Sequence, residues 1–270
     1  MGTHGADLVS ELPPADLSLV VPCFQCRDTI DDTVDRLTVH LESLGLAWEV
    51  VLVDDGSTDG TGQAIRARAD GDRVVAVCLP RNRGKGSAVA AGMLRARGAC
   101  RIFTDADLPY ELDAIERCVS RVRAGSDAVF GNRLLDASDA RARSPLRKAL
   151  GGMVRKAVGM LLGRADIDTQ CGFKGFSGSV AEVLFTDLRT AGFLFDVEIT
   201  RALVSSGARL EFLPVRLVNQ GDSTVHLIPT ALRSLREAWG LLRPPGMEDG
   251  KVEALRRALA PEMPPGSPPT

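Results

Sequence analysis

The sequence has few aromatic residues, few histidines and little net charge. Aromatic residues make up 4% of its 270 residues, with a single tyrosine, and there are three histidines. The 33 basic and 35 acidic residues leave a formal net charge of −2. A protein that binds nucleic acid through bulk charge needs a clear excess of lysine and arginine. We therefore predict no nucleic-acid partner.

The sequence also lacks a membrane-spanning run and a disulfide framework. No window reaches about 18 uncharged apolar residues, and residues 1–16 have neither a basic start nor an apolar stretch. The six cysteines are widely spaced apart from Cys23 and Cys26, which have no second pair to complete a zinc site. We therefore expect a cytoplasmic protein whose contact with a membrane is peripheral, at the inner face.

The composition is that of a folded globular chain, with 44% hydrophobic and 25% charged residues. Residues 1–15 and 243–270 are biased toward proline, glycine and serine, which bury too little apolar area to order a segment, so we predict two flexible tails. Residues 16–242 between them show no linker and are predicted to form one domain. Its first half, 16–132, alternates short strands with helices as nucleotide-binding sheets do, and its second half, 133–242, where this alternation stops, is expected to bind the second substrate.

Short β-rich runs alternate with helical stretches over the first 130 residues. The predicted strands are Leu17–Val21, Val50–Val53, Val74–Cys78, Arg101–Thr104 and Ala128–Phe130, and the predicted helices are Thr29–Leu44, Asp59–Ala69, Gly86–Arg97 and Leu112–Arg123. Further along, helices are predicted at Phe195–Ser206 and Pro229–Leu242 and a strand at Leu210–Val218. Strands that are apolar on both faces indicate an α/β fold with a doubly wound, mainly parallel sheet and helices on both faces.

Acidic residues follow two of the predicted strands. Asp54 and Asp55 end the second strand, and Asp105 and Asp107 follow the fourth. Open α/β sheets bind ligands outside the carboxyl ends of their strands, so these acids are expected at one site. The Asp-x-Asp spacing lets both carboxylates bind one hard divalent cation and, through it, a diphosphate.

A lysine flanked by glycines lies between the two acidic strand ends. The segment Gly84-Lys85-Gly86 opens a predicted helix, where backbone N–H groups and the ammonium can hold phosphate oxygens. The segment lacks the Walker spacing. It therefore predicts phosphate binding without nucleoside triphosphate hydrolysis.

Six motifs, taken in order, resemble family-2 glycosyltransferases of the GT-A fold. They are Val20-Val21-Pro22, Asp54-Asp55-Gly56-Ser57, Asn82-x-Gly84-Lys85-Gly86, Asp105-Ala106-Asp107, Gly131-Asn132-Arg133 and Asp168-Thr169-Gln170-Cys171-Gly172-Phe173-Lys174. The resemblance covers residues 16–225 and is nearest to the polyprenyl- and dolichyl-phosphate glucosyl- and mannosyltransferases. It implies inverting transfer of a sugar from a UDP- or GDP-sugar, such as UDP-glucose or GDP-mannose, to a polyprenyl phosphate, with Mn²⁺ or Mg²⁺ as cofactor.

The resemblance also implies roles for the donor-side residues. The nucleotide contacts are expected from Pro22, Phe24, Asp55, Ser57, Lys85 and Asp107, and the metal ligands are expected to be Asp105 and Asp107. His226, in a polar segment that can fold over the donor, is a further expected ligand of the metal or of phosphate. The sequence departs from the family at Phe24-Gln25-Cys26, where Tyr-Asn-Glu is usual, and at Pro109, where the mannose branch has a metal-binding glutamine. These departures leave the nucleotide base and the third metal ligand open.

The acceptor half contains a basic segment and an acidic helix start. The resemblance places Arg133 and Arg147 at the acceptor phosphate, and the basic stretch 141–164 has the pattern of an amphipathic helix. A phosphate acceptor is already ionised, whereas a hydroxyl acceptor needs a general base. Asp196 is the expected acceptor-side acid, with Glu198 second; a purely structural N-cap is the alternative for Asp196.

Three alternatives remain beside the polyprenyl-phosphate acceptor. The same chemistry on a soluble hydroxyl acceptor is favoured by the absence of membrane spans. A nucleotidyltransferase shares the sheet and the acidic metal site, but it normally has a basic, glycine-rich loop after the first strand, and residues 22–26 offer none. A non-catalytic nucleotide-sugar-binding module is disfavoured because Asp105, Asp107 and Asp196 are all present.

Overall fold

The computed structural model describes residues 15–133, 168, 171–192, 194–218 and 249–259. Its strands are β1 (Leu17–Cys23), β2 (Trp48–Asp54), β3 (Val74–Cys78), β4 (Cys100–Phe103), β5 (Ala128–Asn132), β6 (Lys174–Ser177) and β7 (Leu210–Pro214). Its helices are α1 (Ile30–Ser43), α2 (Thr61–Arg68), α3 (Lys85–Arg95), α4 (Ala114–Arg123), α5 (Gly178–Thr186), α6 (Phe195–Ser206) and α7 (Asp249–Leu259). None of the helices in this described part combines the length and the apolar character that crossing a membrane needs.

The described strands form one seven-stranded sheet in the order β3-β2-β1-β4-β6-β5-β7. Neighbouring pairs are parallel except those of β6, which runs antiparallel to both β4 and β5. The chain order reverses beside β1, which lies between β2 and β4. This is the switch point at which open α/β sheets bind ligands.

Helices cover both faces of the sheet, as the sequence predicted. Alternate residues of β2 show this division, because Val50 and Leu52 pack into one apolar core and Val51 and Val53 into the other. The first core is covered by α1 and α4 and the second by α3, α5, α6 and α7. The predicted doubly wound, mainly parallel sheet is confirmed.

The structure corrects the prediction that residues 243–270 form a flexible tail. Within this stretch α7 packs on α5 and α6, and the side chain of Leu255 has no exposed surface. The prolines lie outside residues 249–259, so the composition of the whole stretch concealed a short amphipathic helix. The segment 171–178, described only as glycine-rich from the sequence, contains β6 and the start of α5. The predicted helices at 141–164 and 229–242 lie outside the described residues.

Candidate active site

The ends of β1 and β2 lie side by side and present an exposed aromatic ring. Cys23 pairs with Asp54 at the last register position, and the next residue, Asp55, donates its backbone N–H to the Cys23 carbonyl oxygen at 2.9 Å. Pro22 lies half-buried near the end of β1. Phe24, directly after the strand, is 47% exposed and is therefore not a core aromatic residue. Its ring is therefore available for stacking on a ligand.

The turn after β1 is tied to the turn after β2 by Gln25. The Gln25 backbone N–H donates to the Ser57 hydroxyl at 3.0 Å, and the Gln25 side-chain oxygen accepts the Thr58 N–H at 3.0 Å. Gln25 has a φ of 51°, in the left-handed region, and this pair of bonds compensates for its strain. Ser57 thus holds the turn that bears Phe24, a role that sequence reasoning missed.

Asp55 holds the loop that precedes α3. Its two carboxylate oxygens accept the backbone N–H groups of Arg83 and Gly84, each at 2.8 Å. The same loop lies so close to Gly56 that a Cβ there would be 2.3 Å from the Arg81 carbonyl carbon. Asp55 is buried, and its observed role is to position the loop before α3. Contact with a nucleoside stays a prediction for this residue.

Lys85 and the Asp-x-Asp pair meet at the carboxyl end of β4. The Lys85 Nζ lies 2.5 Å from Asp105 Oδ1. Burial alone would lower the pKa of Lys85, but the negative charges of Asp105, Asp196 and Asp107 raise it. The pKa of Asp107 is raised by lost hydration and by the charge of Asp105. The carboxylates repel one another, and their oxygen donors are those that a hard divalent cation prefers, so the pair fits a metal site.

Asp196 lies beside this group and is paired with a buried lysine. Asp196 Oδ1 accepts from Lys174 Nζ at 2.6 Å, and the same ammonium donates to the Cys171 carbonyl at 2.7 Å. The Lys174 ammonium also lies about 5 Å from the ring centres of Phe103 (5.3 Å) and Phe130 (5.1 Å). Burial raises the pKa of Asp196, although the positive charge of Lys174 acts to lower it. Asp196 forms no side-chain cap of α6, so the N-cap alternative is wrong.

Glu198 has structural partners. Its carboxylate accepts the backbone N–H of Thr190 at 2.8 Å and of Arg189 at 3.2 Å, and it pairs with Lys251 at 2.9 Å. Burial acts to raise the pKa of Glu198, but the Lys251 charge and these hydrogen bonds lower it. These contacts give Glu198 a structural role, and the catalytic role expected for it as second choice to Asp196 stays a prediction.

Arg133, at the end of β5, forms a bidentate ion pair with Asp168. The Nε–Oδ2 and Nη2–Oδ1 distances are 2.7 and 2.8 Å. Burial acts against both charges, but the pair raises the pKa of Arg133 and lowers that of Asp168. The sequence motif contained Asp168 and Lys174. It did not indicate that Asp168 would pair with Arg133 and Lys174 with Asp196. Two other predicted residues, Arg147 and His226, lie outside the described residues.

The glycine-rich segment that begins at Cys171 lies against the Asp-x-Asp loop. A Cβ at Gly172 would lie 1.9 Å from Asp105 Oδ2, so only glycine allows this approach. The described residues also offer one group of three metal-type ligands, His40, Asp113 and Glu116, whose His40 Nε2 lies 3.1 Å from Glu116 Oε2. That group includes neither aspartate of the Asp-x-Asp motif.

The sheet order and the acids at its strand ends place the molecule in the GT-A class of folds. Residues 18–182 match the family model described as Glycosyl transferase family 2. The match covers more than half of the chain, and the chain belongs to this family.

Curated relatives have related names. The chain is 34% identical over 239 residues to Glycosyltransferase AglD of Haloferax volcanii, covering 84% of this chain and 37% of the relative. It is 30% identical over 219 residues to the dolichyl-phosphate beta-glucosyltransferase of Saccharomyces cerevisiae, covering 74% and 66%. It is 36% identical over 174 residues to an undecaprenyl-phosphate 4-deoxy-4-formamido-L-arabinose transferase of Pseudomonas paraeruginosa, covering 63% and 50%. The chain thus spans between 37% and 66% of these relatives' lengths.

Solved structures share the fold at low sequence identity. Glucosyl-3-phosphoglycerate synthase from Mycobacterium tuberculosis, in complex with Mn²⁺, UDP and phosphoglyceric acid, has a TM-score of 0.55 and 19% identity, covering 91% of this chain and 79% of that one. The mannosyltransferase PcManGT from Pyrobaculum calidifontis, in complex with GDP-Man and Mn²⁺, has a TM-score of 0.52 and 19% identity, covering 92% and 72%.

Proposed function

We propose that this protein is an inverting glycosyltransferase that moves a sugar from a UDP- or GDP-sugar to a polyprenyl phosphate. The observation that carries the proposal is the convergence of Lys85, Asp105 and Asp196 at the carboxyl ends of the central strands. The names of the yeast and Pseudomonas relatives, which refer to dolichyl phosphate and undecaprenyl phosphate, support the lipid acceptor.

On the donor side, we assign the nucleoside to the turns after β1 and β2. Phe24 offers an exposed ring face for the base, with Pro22 two residues before it in the chain, and Ser57 and Asp55 hold the surrounding loops. The diphosphate is assigned to the start of α3, where Lys85 stays protonated because of the acids around it. Its ammonium and the first backbone N–H groups of the helix donate to the phosphate oxygens and stabilise the departing diphosphate.

We assign the divalent metal to Asp105 and Asp107. When bound, Mn²⁺ or Mg²⁺ would supply a Lewis acid for the departing diphosphate. The Mn²⁺ in the two solved structures of similar fold supports manganese as the first choice. His226 remains a predicted ligand of the metal or of phosphate.

The acceptor phosphate is assigned to Arg133, with Arg147 as a second predicted contact. A phosphate oxygen attacks the anomeric carbon while the bond to the diphosphate oxygen breaks, and no proton has to be removed. The bidentate contact with Asp168 fixes the orientation of the Arg133 guanidinium. In this reaction Asp196 serves to hold Lys174 in place and need not act as a base.

A lipid-phosphate acceptor also defines where the protein works. We propose that the chain contacts the inner face of the membrane peripherally, since the phosphate of a polyprenyl lipid lies at the membrane surface. Residues 16–132 would then form the donor half and residues 133–242 the acceptor half. The lipid names of the relatives support this arrangement.

A soluble hydroxyl acceptor is the second candidate. It is favoured by the Arg133–Asp168 pair, because a guanidinium already matched by a carboxylate attracts an additional phosphate less strongly. A hydroxyl acceptor would require Asp196 as the general base, and its raised pKa suits that role.

The test compares three variants in transfer from UDP-glucose and from GDP-mannose, with Mn²⁺, to a polyprenyl phosphate in detergent. We expect Asp196→Asn to retain a substantial rate, because the nucleophile is already ionised. We expect Arg133→Ala to lose at least 100-fold in transfer while its nucleotide affinity is unchanged. The control Arg123→Ala, an exposed arginine paired with Asp16, should match the wild type.

A different pattern would favour the second candidate. If Arg133→Ala transfers sugar to the polyprenyl phosphate nearly as fast as the wild type while Asp196→Asn is inactive, the assignment of the acceptor phosphate to Arg133 is wrong and base catalysis by Asp196 is favoured. If the wild type transfers no sugar to the polyprenyl phosphate from either donor, the proposed reaction with this lipid acceptor fails.

A further inference from the structure

The C-terminal helix α7 inserts a lysine between two other helices. Lys251 Nζ donates to the carbonyl oxygens of Leu184 at 3.3 Å and Asp187 at 2.8 Å, at the end of α5. It also pairs with Glu198 Oε1 in the first turn of α6 at 2.9 Å. The last carbonyl groups of a helix have no partner within the helix, so the ammonium satisfies two acceptors and one negative charge together.

Glu198, the partner of Lys251, also binds the loop between α5 and α6. Both of its oxygens lie 3.2 Å from the Arg189 N–H, and one accepts the Thr190 N–H at 2.8 Å. The Lys251 charge keeps Glu198 ionised, and an ionised carboxylate is the stronger acceptor for backbone N–H groups. The loop backbone is therefore fixed by one carboxylate that depends on α7.

The same loop contacts the first turn of α3. The Ala191 carbonyl oxygen accepts the Ser87 N–H at 3.2 Å. A Cβ at Gly86 would lie 2.5 Å from the Thr190 carbonyl oxygen, so the two backbones are in direct contact. The residue before Gly86 is Lys85, to which we assign the donor diphosphate.

We propose that Lys251 is a positioning residue for donor binding, which acts through Glu198 and the 189–191 loop to fix the start of α3 and thereby Lys85. The inference rests on the proposed function, because it needs a diphosphate at Lys85. It gives α7 a part in the donor site, although the helix follows the acceptor half in sequence.

A double-mutant cycle tests the proposal on the full chain. The affinities for UDP and for GDP, each with Mn²⁺, are measured by calorimetric titration for the wild type, Lys251→Met, Lys85→Ala and the double variant. We expect Lys251→Met to weaken the affinity at least fivefold and Lys85→Ala at least as much. The double variant should bind within twofold of Lys85→Ala, because a residue that acts through another adds nothing once the other is gone.

The control is Arg257→Met, which removes an exposed cation from the same helix and should leave the affinity unchanged. The isosteric variant Glu198→Gln removes the negative charge that links Lys251 to the 189–191 loop. It tests the proposal in place of Lys251→Met if that variant does not fold. We expect it too to weaken nucleotide affinity at least fivefold.

The outcomes separate this inference from the proposed function. If Lys85→Ala binds UDP and GDP as the wild type does, the diphosphate assignment fails and the inference with it. If Lys85→Ala weakens binding while Lys251→Met and Glu198→Gln only lower the melting temperature, the role of α7 is structural and the inference alone is wrong. Additive losses in the cycle would also overturn it.

Discussion

The buried carboxylates near the site differ in what balances their charge. Asp55 is held by two backbone N–H groups, Asp168 by the guanidinium of Arg133, and Asp196 by the ammonium of Lys174. Residue type and spacing predicted that acids would gather at the strand ends. The partners could not be predicted, because each belongs to a segment more than 20 residues away whose approach depends on the packed sheet.

The Arg133–Asp168 pair makes stability depend on pH. The folded pKa of Asp168 lies below its usual 3.8, so the pair's contribution is fully present above pH 3.8 and is lost as the pH falls through the folded pKa. We expect Asp168→Asn to lower the free energy of unfolding at pH 7 by about 1.5–3 kcal/mol, the range for a hydrogen bond between charged groups. Urea unfolding at pH 7 and at pH 3 measures the difference between variant and wild type.

The pH dependence is what identifies the ion pair. The difference should shrink at pH 3, below the usual pKa of 3.8, because the unfolded state of the wild type binds a proton there more readily than the ion-paired carboxylate of the folded state. Asp28→Asn, at an exposed position, is the matched control and should change little at either pH. An equal loss at both pH values for Asp168→Asn would show that packing, and not charge, accounts for the effect.

At the scale of elements, the first five strands were predictable, whereas three later elements, β6, α5 and α7, were not. The strands up to β5 are continuous apolar runs bounded by turn residues, a pattern that periodicity identifies within two residues. β6 escaped because Lys174, a buried lysine within a short glycine-containing segment, breaks the apolar pattern. α7 escaped because the prolines on either side of it set the composition of the stretch.

The contribution of α7 to stability can be measured at Leu255. This side chain is fully buried in the core that α3, α5 and α6 also line. We expect Leu255→Ala to lower the free energy of unfolding by about 2–5 kcal/mol, from lost apolar burial and the cavity left behind. Arg257→Ala on the exposed face of the same helix should stay within about 0.5 kcal/mol of the wild type in the same urea titration. Equal, small losses for both would mean that α7 does not pack as described.

For the whole molecule, the sheet joins residues that are distant in sequence. Antiparallel β6 lies between β4 and β5, and this insertion carries Gly172 to Asp105 and Lys174 to Asp196. The donor-side acids could be placed from the sequence because parallel strands all end at one edge. The contribution of residues 172–174 could not be placed, because it depends on β6, whose direction and neighbouring strands leave no local signal in the sequence.

Ligand linkage gives a test of the donor site on the intact protein. A nucleotide at 100 times its dissociation constant stabilises the folded state by about 2.7 kcal/mol, which corresponds to a rise of roughly 5–10 °C in melting temperature for a domain of this size. We expect UDP or GDP to give such a rise when Mn²⁺ is present and a smaller one when EDTA removes it. The reason is that Asp105 and Asp107 repel a diphosphate unless a cation lies between them.

The variant Asp107→Asn separates metal from nucleotide in this measurement. Its melting temperature with nucleotide should be the same with Mn²⁺ and with EDTA, whereas the matched variant Asp113→Asn should keep the wild-type difference. The nucleotide that gives the larger rise identifies the base, which Phe24 alone does not select because every base has a face that can stack. If Asp107→Asn keeps the full manganese-dependent rise, the metal lies elsewhere, and the group of His40, Asp113 and Glu116 is the next place to look.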